Sequence, residues 1–445
     1  MALKMANTKS GVKNQTALLA AGHWLILSVA INVGLLLKLI HDGNLRIDWY
    51  GLQNVQDNGG RHSSYAAERK PEDGQIQNEY INLDHGDPTM YQSYWKQMGD
   101  RTDVVISGWQ SVSYFSDTKT VCWFLEPGFA NAVTRLHKLV GNAETGNRHI
   151  VVGTGSTQLF QAVLYALCPY DAPEPMSIVS AAPFYSSYPL ITDCLKSGLY
   201  KWRGEVDDFN KEAPYIELVT SPNNPDGSIR GAVFNGSGQI LVHDVAYYWP
   251  QYTPISSRAD HDIMLFTLSK STGHAGMRLG WALVKDEAIA KKMVKFIEIS
   301  SIGVSKDSQV RAAKILDVIS DSYEDSKTSN KSKRFFGYAQ EEMAKRWSQL
   351  REVVNQGQAF SLPILPAGEC NFSHHTFATQ PAFAWLKCEH VDDCESFLKT
   401  HKILTRGGVH FGSTKEYVRA SLIGREEDFN EFIRRLSLIN SAESP

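Results

Sequence analysis

"TLSKSTGHAGMRLG", Thr267 to Gly280, sets one lysine, Lys270, just after a hydrophobic run and an arginine, Arg278, eight positions on. The preceding run, "DIMLFTLS" (Asp262–Ser269), has the length and apolarity of a buried strand. A lysine at the end of such a strand is costly unless something uses it. Covalent capture of an aldehyde cofactor would use it. The small residues around it let backbone approach a ligand closely, and Arg278 suits a phosphate. Together these features suggest pyridoxal phosphate (PLP). Taken alone, the stretch fits equally a surface lysine capping a strand in a glycine-rich turn.

The neighbouring sequence decides more. "HIVVG" (His149–Gly153), "MSIVSAAP", "YIELVTSP", "QILVHD" and "WALVKD" (Trp281–Asp286) read as further strands. "TQLFQAVLYAL" (Thr157–Leu167), "DEAIAKKMVKFIEI" and "SQVRAAKILDVISD" read as helices. "PAFAWLKC" and "YVRASLIG" belong to a C-terminal strand–helix region. Strands alternating with helices predict an α/β fold with a mostly parallel sheet, covered on both faces. Ligands gather at the carboxyl ends of strands in such sheets.

Polar residues cluster at those ends. "TGSTQ" (Thr154–Gln158) opens a helix and offers amides and hydroxyls to a phosphate. "FYSSY" (Phe184–Tyr188), "NNPDG" (Asn223–Gly227) and Asp244 followed by "VAYYW" end three more strands. Each has a plain structural explanation: a helix cap, a tight turn, core aromatics. Five such features at successive strand ends point to a site. "GTGSTQ" is not a dinucleotide loop, because Gln158 stands where a third small residue is needed and the next strand ends in "SAAP", without an acid. No GxxxxGK[ST] occurs, so a P-loop is excluded as well.

PLP needs a particular set of partners. Lys270 would take the aldehyde. Asp244 would keep the pyridine nitrogen protonated. Asn224 and Tyr247 would donate to the phenolic oxygen. Ser156, Thr157 and Arg278 would hold the phosphate, with Thr267 or Ser269 helping. Tyr185 would stack on the ring. Lys270, once released, would serve as the base at the substrate Cα.

The bulk numbers agree with a globular enzyme. The chain has 445 residues, 42% of them hydrophobic and 21% charged, with a net charge of −3 that invites no nucleic acid. Its six cysteines form no CxxC pair or dense cluster, which argues against a metal site and a disulfide scaffold and predicts buried free thiols.

The N-terminus differs. "TALLAAGHWLILSVAINVGLLLKLI" (Thr16–Ile40) is apolar apart from His23, Asn32 and Lys38, and is long enough to cross a bilayer. Residues 18–40 are expected to form an uncleaved anchor after a tail at 1–17. A signal peptide cleaved at "SVA" (Ser28–Ala30) is the alternative. Residues 41–78 are polar and read as a linker. Lys4, Lys9 and Lys13 before the run, against Lys38 and Arg46 after it, point to a cytosolic N-terminus and a lumenal catalytic part.

The segments "NLDHGDPTMYQSYW", "SYFSD", "CWFLEP", "VVGTGSTQL", "APFYSSY", "YIELVTSPNNPDG", "HDVAYYWPQYTPI", "SKSTGHAGMRLGWALVKD" and "IGVSKDSQVR", together with "YVRASL", resemble the alliinase/tryptophan aminotransferase family of fold-type-I PLP enzymes. The resemblance runs from about Asn82 to Arg311 and resumes near the C-terminus. It implies a PLP-binding domain over about 130–315 and a smaller α+β domain from about 79–129 and 316–445. It also implies a homodimer, and a place in a membrane-anchored branch, in the endoplasmic reticulum. The implied reaction is transamination between L-tryptophan and a 2-oxo acid (pyruvate or 2-oxoglutarate), giving indole-3-pyruvate for auxin synthesis. By motif, Lys270 would carry the cofactor and Asp244 contact its ring nitrogen. Tyr114 would reach the cofactor, in its own subunit or in the neighbouring one, and Arg419 would bind the substrate carboxylate. The alternative reading is C–S lysis of S-alkyl cysteine sulfoxides. The lyases of this family carry a cysteine-rich segment before the PLP domain, whereas no cysteine precedes Cys122 here. A binding protein on an inactive PLP fold is a third reading, against which Lys270, Asp244 and Arg278 all speak.

Overall fold

The structure is a computed structural model that describes residues 79–209, 214–233, 238–324 and 334–442. The expected tail, anchor and linker lie outside the described residues. Among the described residues, no helix is long and apolar enough to cross a membrane.

The strands expected from apolar runs form one seven-stranded sheet. They are β2 (His149–Gly153), β3 (Met176–Ser180), β4 (Tyr200–Glu205), β5 (Tyr215–Thr220), β6 (Gln239–Asp244), β7 (Ile263–Thr267) and β8 (Gly280–Val284). Their order is β2-β8-β7-β6-β5-β3-β4. From β7 to β4 all pairings are parallel, while β8 runs antiparallel to both β2 and β7. Every residue of β5, β7 and β8 is buried. Successive side chains point to opposite faces, so burial of whole strands means that both faces are covered. The strand at one edge, β4, carries "YKWRGE" and is half open, as a protected edge should be.

Helices Gly155–Leu167 and Glu287–Ser301 pack on each other beside the sheet, as do Pro127–Val140 and Lys306–Glu324. The second pair is tied in through His137. Its Nε2 accepts from Trp281 Nε1 at 3.0 Å, and its ring lies 4.5 Å from Phe266. Trp249, Phe266 and Trp281 are fully buried around it. Truncating one such aromatic costs about 3–5 kcal/mol.

A second sheet orders four short strands as β14-β15-β12-β9: Arg406–Gly407, Tyr417–Ser421, Phe383–Cys388 and Phe360–Ser361. An extended segment, β1 (Ile81–Asn82), pairs with β13 (Ile403–Leu404). Leu83 N–H then donates to Leu404 O at 2.8 Å, and Leu83 O accepts from Ser421 N–H at 2.8 Å. These bonds fix where Asp84, His85 and Gly86 go.

One expectation is corrected here. The cysteines are not all free thiols. Cys388, ending β12, and Cys394, opening the helix Cys394–Thr400, are joined in a disulfide with Cα atoms 5.4 Å apart. Five intervening residues form a loop that brings a strand end back to a helix start, and sequence spacing alone does not reveal that. Cys122, Cys168 and Cys370 are buried and free, and Cys194 is free but exposed.

Candidate active site

The parallel strands deliver their following residues to one edge. After β2 comes the helix start at Gly155; after β5, the turn with Asn224; at the end of β6, Asp244; after β7, the turn Leu268–Ser271 that carries Lys270. Because β8 is antiparallel, its first residue, Gly280, pairs with both Gly153 and Thr267. Arg278 therefore lies at the same edge, although it precedes a strand.

Gly155 has φ +76°, and a Cβ there would stand 2.8 Å from Arg278 Nη2. Arg278 itself has φ +49°, and its Nη1 donates to Ala275 O at 3.0 Å. The guanidinium thus faces the amides that open the helix Gly155–Leu167, beside Ser156 and Thr157. Amides of a helix start and a guanidinium together suit a phosphate. Thr267 Oγ1 accepts from Ser269 N–H at 3.3 Å and shapes the lysine turn. Thr267 and Ser269 are buried.

Lys270 Nζ donates to Gly86 O, and lies 5.9 Å from the Tyr247 ring centroid. Removal from water, with Arg419 and Arg278 nearby, lowers its pKa to about 7, against the opposing pull of Asp87. An amine that is half unprotonated near neutrality can attack an aldehyde.

The Asp244 carboxylate accepts from Tyr188 Oη at 2.9 Å and from Ala246 N–H at 3.1 Å. Removal from water raises its pKa, and no cationic side chain among the described residues pairs with it. A desolvated carboxylate without a cation is costly unless a ligand supplies one. A protonated pyridine nitrogen would do so. Lys270, Asp244 and the Gly155–Arg278 cradle therefore fit PLP on three separate grounds.

Tyr247, whose ring lies by Lys270, and Asn224, bonded to Arg419, are both buried. Burial holds the Tyr247 phenol well above its ordinary pKa, so it stays a donor. Asn224 Oδ1 accepts from Arg419 Nη1 at 3.1 Å, which leaves its amide nitrogen as a donor. Arg419 Nη2 donates to Asp84 O at 2.6 Å, while its buried Nε has no partner. The guanidinium stacks 4.1 Å from Phe383 and 5.2 Å from Phe411. Tyr185 packs edge-on against Tyr188, with centroids 5.3 Å apart. Tyr114 is not brought into this cluster. It is exposed and makes no hydrogen bond or ring contact with the other site residues of its own chain. No group of three or more His, Cys, Asp or Glu residues among the described residues could hold a metal.

This chemistry matches what the sequence is related to. The family model described as "Allinase" matches residues 81–440. The chain belongs to the alliinase family. Proteins of this family and fold use PLP, and PLP is the cofactor here. The chain is 50% identical to Tryptophan aminotransferase-related protein 2 of Arabidopsis thaliana over 424 residues, covering 93% of this chain and 96% of that one. It is 57% identical to Tryptophan aminotransferase-related protein 2 of Oryza sativa subsp. japonica over 371 residues, 80% of this chain and 73% of that one. Alliin lyase of Allium cepa var. aggregatum is 35% identical over 368 residues, covering 80% and 81% of the two chains. Among solved structures, aspartate aminotransferase from Thermus thermophilus superposes with a TM-score of 0.56 at 15% identity, covering 81% of this chain and 92% of that one. An aminotransferase from Staphylococcus aureus gives 0.58 at 18% identity, with 84% and 98% covered. The family and fold make the chain a PLP-dependent enzyme of the aminotransferase or lyase type.

Several site residues escaped the sequence reading. Tyr188 and Thr220 form a donor chain to Asp244: their hydroxyls lie 2.6 Å apart. Tyr188 sits in "FYSSY" (Phe184–Tyr188), where it read only as an aromatic. Asp84, Gly86 and Arg406 were invisible as site residues, because Arg406 sits on the second sheet and Asp84 and Gly86 follow β1, which pairs with the distant β13. The "LDHGDP" turn, polar and lying between apolar segments, was the available signal.

Proposed function

We propose that the chain is an L-tryptophan:2-oxo acid aminotransferase that makes indole-3-pyruvate, the opening step of an auxin route. The observation that carries this reading is one enclosure holding both Lys270, with its pKa near 7, and Arg419, a buried guanidinium whose Nε is unpartnered. The relatives at 50% and 57% identity, both named for tryptophan transamination, support it over the lyase at 35%.

In this reading Arg419 receives the substrate carboxylate, and Phe383 and Phe411 keep water from it. Asn224 and Tyr247 hold the cofactor's phenolic oxygen, and Tyr185 covers its ring. Ser156, Thr157, Ser269 and Arg278 hold the phosphate, with Thr267 supporting their turn. Tyr114 reaches the site from the second subunit of a homodimer. Asp244, kept in place by Tyr188, holds a proton on the ring nitrogen. When bound, PLP supplies an electron sink at the substrate Cα. Lys270 Nζ would take the proton from the substrate Cα and carry it to the cofactor's side of the C–N bond rather than back to Cα, so that the nitrogen leaves the substrate and the oxo acid remains. A transaminase needs that second delivery; a lyase expels a group from Cβ instead.

The test is incubation of the purified enzyme with L-tryptophan and pyruvate. Indolepyruvate and alanine should form in equal amounts. Dominant release of pyruvate from an S-alkyl cysteine sulfoxide, with no indolepyruvate from tryptophan, would assign the chain to the lyases.

The proposal includes an endoplasmic reticulum anchor at residues 18–40. The full chain should stay with membranes after an alkaline carbonate wash. A mature N-terminus near Ile31 would show a cleaved signal instead.

A further inference from the structure

Two arginines face the substrate side of the site, and one carboxylate stands between them. Arg406 on β14 and Arg419 on β15 are direct cross-strand partners. Arg419 touches Asp84 through the main-chain oxygen. Arg406 takes the Asp84 side chain as a fork, with Nε–Oδ1 at 2.6 Å and Nη2–Oδ2 at 3.0 Å. Its remaining Nη1 donates to Ser186 Oγ at 3.0 Å, beside Tyr185. Two residues on, Gly86 O accepts from Lys270 Nζ. Asp84 and Arg406 are only partly buried, at 26% and 27% side-chain exposure.

The charges can be counted. Arg406, Arg419 and Asp84 between them carry a single net positive charge. That matches one substrate carboxylate and no more. We infer that Asp84 is a specificity-determining residue: it cancels Arg406 and so excludes a second carboxylate from the amino donor and the oxo-acid acceptor alike. A dicarboxylate would have to displace Asp84 from its fork and then lie beside the freed anion. Rejection of this kind, by an introduced repulsion, is a common source of selectivity. The inference rests on the proposed role of Arg419 as carboxylate receptor, and it narrows the acceptor to pyruvate-like monocarboxylates rather than 2-oxoglutarate.

The test uses the holoenzyme and two unreactive probes, glutarate and butyrate, with dissociation constants measured by calorimetry. Binding needs no turnover, so the result does not depend on tryptophan being the donor. The readout is the glutarate-to-butyrate affinity ratio. Asp84→Asn should raise it about tenfold, because Arg406 becomes free to take the distal carboxylate. Asp84→Asn with Arg406→Met should lose that gain. Arg406→Met alone should lower the ratio below that of the wild type, since Asp84 is then unpaired; this arm stands if Asp84→Asn fails to fold. The ratio of kcat/KM for 2-oxoglutarate over pyruvate should move in the same directions. An unchanged ratio in Asp84→Asn or in Arg406→Met, or a gain that persists in the double variant, overturns the inference. Retained butyrate binding in Arg419→Ala would instead remove the carboxylate-receptor role on which it rests.

Discussion

The Tyr188 hydroxyl donates to Asp244 Oδ2 across 2.9 Å, at the carboxyl edge of the sheet. Thr220 supports the same hydroxyl from the next strand at 2.6 Å. Donors on two sides hold Asp244 as an acceptor, although burial alone would favour its neutral form. Asp244→Asn should therefore keep the cofactor but lower turnover by about a hundredfold or more, because an amide cannot hold a proton on the ring nitrogen. Tyr188→Phe removes one hydrogen bond to a charged group and should cost about tenfold. Steady-state rates on holoenzyme of measured PLP content check both. Near-wild-type turnover in Asp244→Asn would end the assignment.

Arg278 and Gly155 should matter to cofactor retention more than to chemistry. In the proposed arrangement, Arg278→Ala removes a charged partner of the phosphate. Gly155→Ala forces a side chain into φ +76° and to within 2.8 Å of the guanidinium. Both should weaken PLP binding by roughly tenfold or more. Equilibrium dialysis followed by absorbance reads it directly, and undiminished retention in Arg278→Ala would remove it from the phosphate site.

Much of this arrangement was legible in the sequence, for a physical reason. Strands β2, β5, β6 and β7 are continuous apolar runs, and the polar residues after each run must lie at one edge of a parallel sheet. What was not legible depended on direction and on distant contacts. "WALVKD" reads as a strand, but nothing local says that β8 runs antiparallel, and that reversal is what brings Arg278 to Gly155. Asp84 and Gly86 reach the site only because Leu83 is hydrogen-bonded to Leu404 and Ser421. The Cys388–Cys394 bond needed the fold of its loop. Tyr114 remains apart from the site of its own chain, and a role for it requires a second subunit.

Acid should destabilise the fold through its buried histidines. His137 is fully buried, accepts from Trp281 Nε1, and has its Nδ1 2.8 Å from Asn142 Oδ1. Protonation of Nε2 would set two donors against each other. Burial lowers its pKa to about 4, and His274 is lowered to about 4 in the same way. The unfolded chain binds these protons from about pH 6.5 downward, whereas the folded chain resists until about 4. Stability should thus be full above about pH 6.5 and decline as pH falls toward 4. Thermal midpoints across that range check it, and a flat profile would contradict it.

The lowered pKa of Lys270 gives a second pH dependence with a defined sign. Capture of PLP by the apoenzyme needs the unprotonated amine. Its rate should rise with pH through about 7 and level off above, instead of climbing toward the ordinary lysine value. Stopped-flow absorbance of reconstitution measures the profile. A midpoint near 10 would show that the amine is not desolvated as described.

The most direct measurement is chemical. Holoenzyme reduced with borohydride and digested should yield a single pyridoxyl-modified peptide, with the adduct on Lys270. Lys270→Ala should give no adduct and no indolepyruvate from L-tryptophan and pyruvate. An adduct on any other lysine, or indolepyruvate formed at the wild-type rate by Lys270→Ala, would contradict the account.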